Sequence, residues 1–270
     1  MAEHVTAMRS RASRTVRFAR IALFSDVDGT LLDANDRLAI APADVARMGP
    51  DVELILSSSR TMVELAAIQK RLGLDAPIIA ENGAVVAFPP RWRGSRSTRR
   101  EVLVLGDTAA HLRPRVRQAA TEAGVRIVDQ RDLLPDHARS LRRNFSVCIR
   151  DWSGPGAERF LDALHSDGLK ATHSGRWIAI TRGADKGAGV RAVLERAGHL
   201  GAPFASTVAI GNAANDAPLL AAAQDRFAVR NPRRGHQPEL LELSGVHPLA
   251  ASGARAWREA LGRILDGTSA

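Results

Sequence analysis

Nine residues, Phe24-Ser25-Asp26-Val27-Asp28-Gly29-Thr30-Leu31-Leu32, restrict the folds open to this chain more than any other stretch. The apolar run Ile21 to Phe24 reads as a buried strand of a parallel sheet, covered on both faces. It delivers two carboxylates, Asp26 and Asp28, at the strand's carboxyl end, where open α/β sheets bind their ligands. Gly29 supplies a tight turn, so Asp28 leaves the strand's alternation and can face the pocket that Asp26 faces. Two crowded carboxylates repel, and the pattern makes sense around a cation or a shared proton. The plain alternative is a solvated turn, where Asp and Gly are common.

The rest of the chain extends this pattern. Val52 to Leu56 is a second strand, followed by a helix from Thr61 to Leu72 with Leu65, Ile68 and Leu72 on one face and Gly73 as its stop. Pro77 to Ala80 gives a third strand, and strand–helix–strand order argues for a doubly wound parallel sheet. The middle reads differently. Strands are expected at 101–105, 125–129, 145–150 and 177–181, and helices at 108–123 and 157–165. This is an α+β insert, placed at 85–182. From Lys186 the α/β pattern returns, with strands at 207–210 and 226–229 and helices at 187–197, 217–223 and 254–265. The expected organisation is a basic extension (1–17), a Rossmann-like core split into 18–84 and 183–270, and the inserted cap.

Composition narrows the classes. With 270 residues and 45% apolar content the chain can bury a substantial core. A single cysteine, Cys148, excludes an internal disulfide framework and fits a reducing compartment. No apolar run is long enough to span a bilayer and Met1 to Arg20 lacks a secretory apolar segment, so a cytoplasmic protein without membrane partners is expected. The formal charge of +9 raises nucleic acid as a partner, with Trp92 in the basic run 91–100 available for stacking. The arginines are spread along the chain, no nucleic-acid module is recognisable, and an arginine-rich proteome or a site selective for anionic substrates accounts for the charge with less machinery.

Three further segments fall at strand ends. Ser57-Ser58-Ser59-Arg60 offers hydroxyls to a phosphate or to a helix cap. Lys186, in the glycine-rich Gly183 to Gly189, adds a charge at a helix start, where a phosphoryl group is well received; the alternative is an exposed lysine. Gly211-Asn212-Ala213-Ala214-Asn215-Asp216 follows a buried strand.

In this order the segments resemble the motifs of the haloacid dehalogenase superfamily, whose members are mostly magnesium-dependent phosphatases that pass through an aspartyl-phosphate. The resemblance implies that Asp26 is the nucleophile and Asp28 the general acid and base. Ser58, or Ser57 beside it, holds the phosphoryl group with Arg60 following, and Lys186 steadies the nucleophile. Magnesium falls to Asp26, the Asp28 carbonyl and Asn212, with Asn215 and Asp216 beside them. The family carries Asp where this chain has Asn212, so weaker magnesium binding is expected.

Shorter matches at Glu81-Asn82-Gly83-Ala84, Arg143-Asn144-Phe145-Ser146, Gly175-Arg176-Trp177 and Ser252 to Trp257 resemble mannosyl-3-phosphoglycerate phosphatases, enzymes of mannosylglycerate biosynthesis. They imply a mannosyl- or glucosyl-3-phosphoglycerate substrate, with Asn82, Arg143 and Arg176 as contacts. A broad sugar-phosphate phosphatase, a phosphomannomutase-like enzyme and a catalytically inactive basic binding protein are the alternatives. Oligomeric state is not legible.

Overall fold

The computed structural model describes residues 20–33, 35, 37–92, 98–135, 138, 141–153, 155–174 and 177–267. The basic extension 1–17 and Arg176 lie outside these residues.

Strands of five or six mostly apolar residues form the centre of the larger sheet. β1 (Ile21–Ser25) lies between β2 (Val52–Ser57) and β10 (Ser206–Gly211), paired in parallel with both. β3 (Ile78–Ala80) continues the parallel set beside β2, and β11 (Asp225–Val229) and β12 (Val246–Leu249) continue it beyond β10. Alternate residues of β1 serve opposite cores. Leu23 joins the cluster under α2 (Met62–Leu72) and α9 (Gly253–Leu265). Ala22 and Phe24 join the cluster under α6 (Lys186–His199) and α7 (Ala217–Ala221). Helices on both faces explain why the strands are buried on both sides and mostly apolar. The shorter helices α1 (Pro42–Ala46) and α8 (Pro238–Leu241) complete the connections.

Local chemistry fixes the helix ends that matter for the site. Thr61 and Glu64 form a reciprocal cap at the start of α2, Oε2 of Glu64 accepting the Thr61 N–H at 2.8 Å, and Gly73 ends the helix in the left-handed region. Asp185 caps α6 by accepting the Ala188 N–H at 2.9 Å, which makes Lys186 the first residue of that helix.

The second sheet is antiparallel, in the order β6 (Arg126–Asp129), β7 (Val147–Ser153), β9 (Trp177–Arg182), β8 (Leu169–Ser174). α3 (Ala109–Ala123) and α5 (Ala157–Ser166) pack on it through Leu112, Val116, Phe160 and Leu164, and α4 (Gln130–Leu133) links β6 to β7. This is the expected α+β cap, and the two sheets together make the expected fold.

The structure corrects three expectations. β4 (Val85–Phe88) and β5 (Glu101–Val104), placed in the insert at 85–182, instead extend the core sheet, β4 antiparallel to β3 and β5 antiparallel to β4, in the order β12-β11-β10-β1-β2-β3-β4-β5. All of Val85, Val86, Ala87 and Phe88 are buried, as a strand covered on both faces requires. The chain thus leaves the core after β5 rather than after β3. Trp92 is fully buried against Phe88 and Phe204, which removes it as a base-stacking platform. β8 and β12 had no expected counterpart. β8 alternates weakly, and β12 is an edge strand carrying Pro248.

Candidate active site

The carboxyl ends of β1, β2 and β10 and the start of α6 meet at one edge of the core sheet. Asp26 stands one residue beyond β1 and still donates its N–H to Ile210 of β10, at 2.9 Å. The chain then turns at Gly29, where φ is +76°. The turn needs glycine for its backbone conformation, and a Cβ there would lie 2.2 Å from Nδ2 of the Asn212 side chain and displace that amide. Asp26, Asp28 and Asn212 consequently line one cavity of about 590 Å³.

Lys186 is the electrostatic centre. Its Nζ donates to Oδ1 of Asp26 at 2.7 Å and to Oδ1 of Asp216 at 2.6 Å, and all three residues are almost completely buried. Burial disfavours the Lys186 ammonium, but Asp216 and Asp26 together outweigh it and raise its pKa above the ordinary lysine value. Burial and then the nearby Asp216 carboxylate push the Asp26 carboxyl up to about 7, against the pull of Lys186. Thr30 donates its hydroxyl to the other Asp26 oxygen at 3.4 Å.

Asp216, expected beside the metal, has a supporting role. Oδ1 takes Lys186, and Oδ2 accepts the backbone N–H groups of Asn212 and Ala213, both at 2.9 Å. It therefore shapes the loop that carries Asn212 and anchors the lysine. Asn215 lines the same cavity as Asp26 and donates to Oδ1 of Asn82, at 3.1 Å.

The Asp28 side chain is held by the β2 loop. Nε and an Nη of Arg60 reach its Oδ1 at 3.0 and 2.6 Å, and the Ser58 hydroxyl donates to Oδ2 at 3.2 Å. Arg60, expected to hold substrate, is thus committed to Asp28 and, at 3.5 Å, to Glu64. Ser57 is fully buried, and its hydroxyl has no partner among the described residues. Ser59, not singled out in the sequence, lines the cavity in its place.

Two core–cap contacts lie beside these residues. Arg143 donates to the Ser59 carbonyl and to Gln130 at 2.8 Å, so it bridges cap and core and is absent from the linings of the two larger cavities. Glu81, at φ +49°, accepts the N–H groups of Asn144 and Phe145 at 3.2 and 3.0 Å and the Ser146 hydroxyl at 2.7 Å. Asn82 follows at φ +57°. Two successive non-glycine residues in the left-handed region carry strain that the surrounding contacts must hold. Nδ2 of Asn82 is buried without a partner among the described residues, and its side chain faces a second cavity, about 390 Å³, with Lys186 and Asn215.

The donor set suits a hard cation. The Asp26 carboxylate, the Asp28 carbonyl and the Asn212 side-chain amide are oxygen donors of the type magnesium takes. Among the described residues no group of three or more His, Cys, Asp and Glu side chains could hold a metal, so a cation here would rely on mixed donors. Nδ2 of Asn212 donates to the Asp28 carbonyl at 3.0 Å, so engaging both as ligands requires the amide to turn and that hydrogen bond to break.

Several lining residues have no counterpart among the sequence-based candidates: His173 from the cap, and Asn231, Arg233, Arg234 and Gln237 from the loop after β11. Only the backbone path brings that loop to the edge holding Asp26. No helix among the described residues is long and apolar enough to cross a membrane.

Comparison with known proteins agrees with this geometry. A family model for haloacid dehalogenase-like hydrolases matches residues 23–93 and 157–237. A glucosyl-3-phosphoglycerate/mannosyl-3-phosphoglycerate phosphatase from Persephonella marina is 27% identical over 264 residues, spanning 90% of this chain and 97% of that protein. A mannosyl-3-phosphoglycerate phosphatase from Pyrococcus furiosus is 23% identical, over 83% of this chain and 97% of that one. Among solved structures, the sucrose-phosphatase of Synechocystis superposes with a TM-score of 0.60 at 15% identity, covering 92% of this chain and 98% of that one. The segments matched by the family model carry Asp26, Asp28, Ser58, Lys186 and Asp216, and the chain belongs to the haloacid dehalogenase-like hydrolases.

Proposed function

We propose that this hydrolase is a magnesium-dependent phosphatase that forms an aspartyl-phosphate on Asp26, with glycosyl-3-phosphoglycerates as its substrates. One observation carries the chemistry: a buried lysine bridges Asp26 and Asp216 while a second carboxylate, Asp28, lines the same cavity.

Magnesium, held by Asp26, the Asp28 carbonyl and Asn212, supplies Lewis-acid stabilisation of the phosphoryl charge. Asp26 attacks phosphorus as a carboxylate, and Lys186 holds the attacking group in place. Lys186 also receives charge as it builds on the phosphoryl oxygens, as does the Ser58 hydroxyl once it turns from Asp28 to the substrate. Asp28 gives its proton to the leaving alkoxide and takes one from the water that cleaves the acyl phosphate. The Arg60 fork orients Asp28, and Asn82 Nδ2 supplies an uncommitted donor to the substrate. The cap closes the pocket against bulk water and reads the sugar.

The substrate assignment is supported by the Persephonella marina and Pyrococcus furiosus relatives, whose names specify glycosyl-3-phosphoglycerates. The test is phosphate release, with magnesium, from mannosyl- and glucosyl-3-phosphoglycerate beside sucrose, trehalose and mannose phosphates. Preference for the phosphoglycerates supports the reading. Turnover of the simple sugar phosphates alone retains the chemistry and removes the substrate.

A further inference from the structure

The loop between β11 and α8 holds two adjacent guanidinium groups at the catalytic cavity. Arg233 and Arg234 line the same space of about 590 Å³ as Asp26 and Asp28. The loop is tied down from several sides. Oδ1 of Asn231 accepts the N–H groups of both arginines at 3.0 and 3.2 Å, and Asn231 and Gly235 exchange backbone hydrogen bonds at 2.9 and 3.0 Å. His236 bonds the Leu249 carbonyl at 3.0 Å, fixing the loop to β12.

The side chains contrast with this fixed backbone. Among the described residues neither guanidinium has a hydrogen-bond or ion-pair partner. The carboxylates nearby are already engaged: Asp28 by Arg60, and Asp26 and Asp216 by Lys186. The arginines therefore leave the cavity rim with unmatched positive charge, next to the place where a phosphoryl group would react. A substrate with one phosphate reacting at Asp26 needs no further cation at the rim, since the Lys186 ammonium already stands 2.7 Å from Asp26.

We propose that Arg233 and Arg234 form a subsite for a second anionic group of the substrate, a carboxylate displaced from the reacting phosphate. A guanidinium fork matches a carboxylate by two parallel hydrogen bonds, and two adjacent forks select for that group over a hydroxyl. The inference rests on the reading that this cavity takes the phosphorylated substrate, and it deepens that reading. It assigns recognition of the glycerate carboxylate to the core loop, leaving the cap to read the sugar.

The test is a binding measurement that needs no turnover. Non-hydrolysable phosphonate analogues of 3-phosphoglycerate and of glycerol 3-phosphate differ in a carboxylate against a hydroxymethyl group. Each is titrated calorimetrically, with magnesium, into the full-length wild type, Arg233→Ala/Arg234→Ala, and Arg47→Ala/Arg71→Ala, which removes the same charge from exposed positions elsewhere. The wild type should bind the carboxylate analogue more tightly by roughly tenfold or more, the usual worth of a charge-assisted hydrogen bond. That ratio should fall towards one in Arg233→Ala/Arg234→Ala and persist in Arg47→Ala/Arg71→Ala. Absence of preference in the wild type, its survival in Arg233→Ala/Arg234→Ala, or equal loss in both variants would overturn the subsite. Failure of the glycosyl-phosphoglycerate reading appears separately, as absence of turnover of those esters.

Discussion

The interior of the site and its rim solve opposite problems. Inside, the ionised groups are already matched: Lys186 to Asp26 and Asp216, Asp216 to two backbone N–H groups, and Asp28 to Arg60 and Ser58. At the rim, the guanidinium groups of Arg233 and Arg234 have no partners among the described residues and line the cavity, and behind the second cavity Nδ2 of the buried Asn82 is likewise unpaired. Preorganised charge suits a step common to every phosphate ester. Uncommitted donors suit the part of the ligand that differs between esters. Changes inside should therefore damage turnover and stability, and changes at the rim should alter discrimination.

The contrast is sharpest at Asp26. Asp26→Asn keeps the shape and removes the nucleophile, so phosphate release should fall on the order of 10³-fold or more, measured in steady state. Activity near wild type would break the interior half of the comparison. Next comes Lys186→Met, which leaves Asp26 and Asp216 buried without their cation. Breaking a buried pair in this way costs roughly 3–5 kcal/mol, readable as a lower denaturant midpoint. An unchanged midpoint would show that the carboxylates find other partners.

Glu81 belongs to the interior although it touches the cap. Glu81→Ala strands three donors of the 144–146 segment, and a loss of about 1–3 kcal/mol is expected, with faster proteolysis near that segment. Asn212→Asp restores a charged ligand and removes the donor to the Asp28 carbonyl. Calorimetric titration should show magnesium binding about tenfold tighter than in the wild type, a modest change for one added carboxylate. Equal affinity would mean that Asn212 does not reach the cation.

The smallest effect lies away from both regions. Arg258 on α9 holds Asp44 on α1 at 2.8 and 2.9 Å, and this hydrogen bond is the main cause of the lowered Asp44 pKa. A lowered carboxyl pKa contributes stability above the unfolded value of 3.8, lost as pH falls through the folded value. Arg258→Ala should therefore cost about 0.2–1 kcal/mol at neutral pH, and its thermal melt should converge with the wild type in acid.

The same division explains what the sequence could disclose. Asp26, Asp28, Ser58 and Lys186 sit at the ends of continuous apolar strands or at a capped helix start, and those signals are local. Ser57 shows the limit. β2 ends at Ser57, so Ser58 and Ser59 no longer follow the strand's alternation, and Ser59 lines the pocket where Ser57 does not. Arg60 looked like a substrate contact because only tertiary structure shows Asp28 beside it. β4 and β5 carry a related ambiguity: neither the buried run of β4 nor the half-exposed alternation of β5 tells which of the two sheets the strand joins. Arg233 and Arg234 carried no local signal, since an arginine pair in a polar turn reads as surface. Their position depends on how β10, β11 and β12 order themselves in the sheet.

The central claim is that Asp26 carries the phosphoryl group. Acid-quenching the enzyme during turnover of a glycosyl-3-phosphoglycerate, reducing it with borohydride and sequencing its peptides by mass spectrometry tests this directly, because an acyl phosphate is reduced to the alcohol. Conversion of position 26, and no other, to homoserine is the predicted result. Unmodified Asp26 in an enzyme that is visibly turning over, or homoserine at Asp28 instead, would contradict the account.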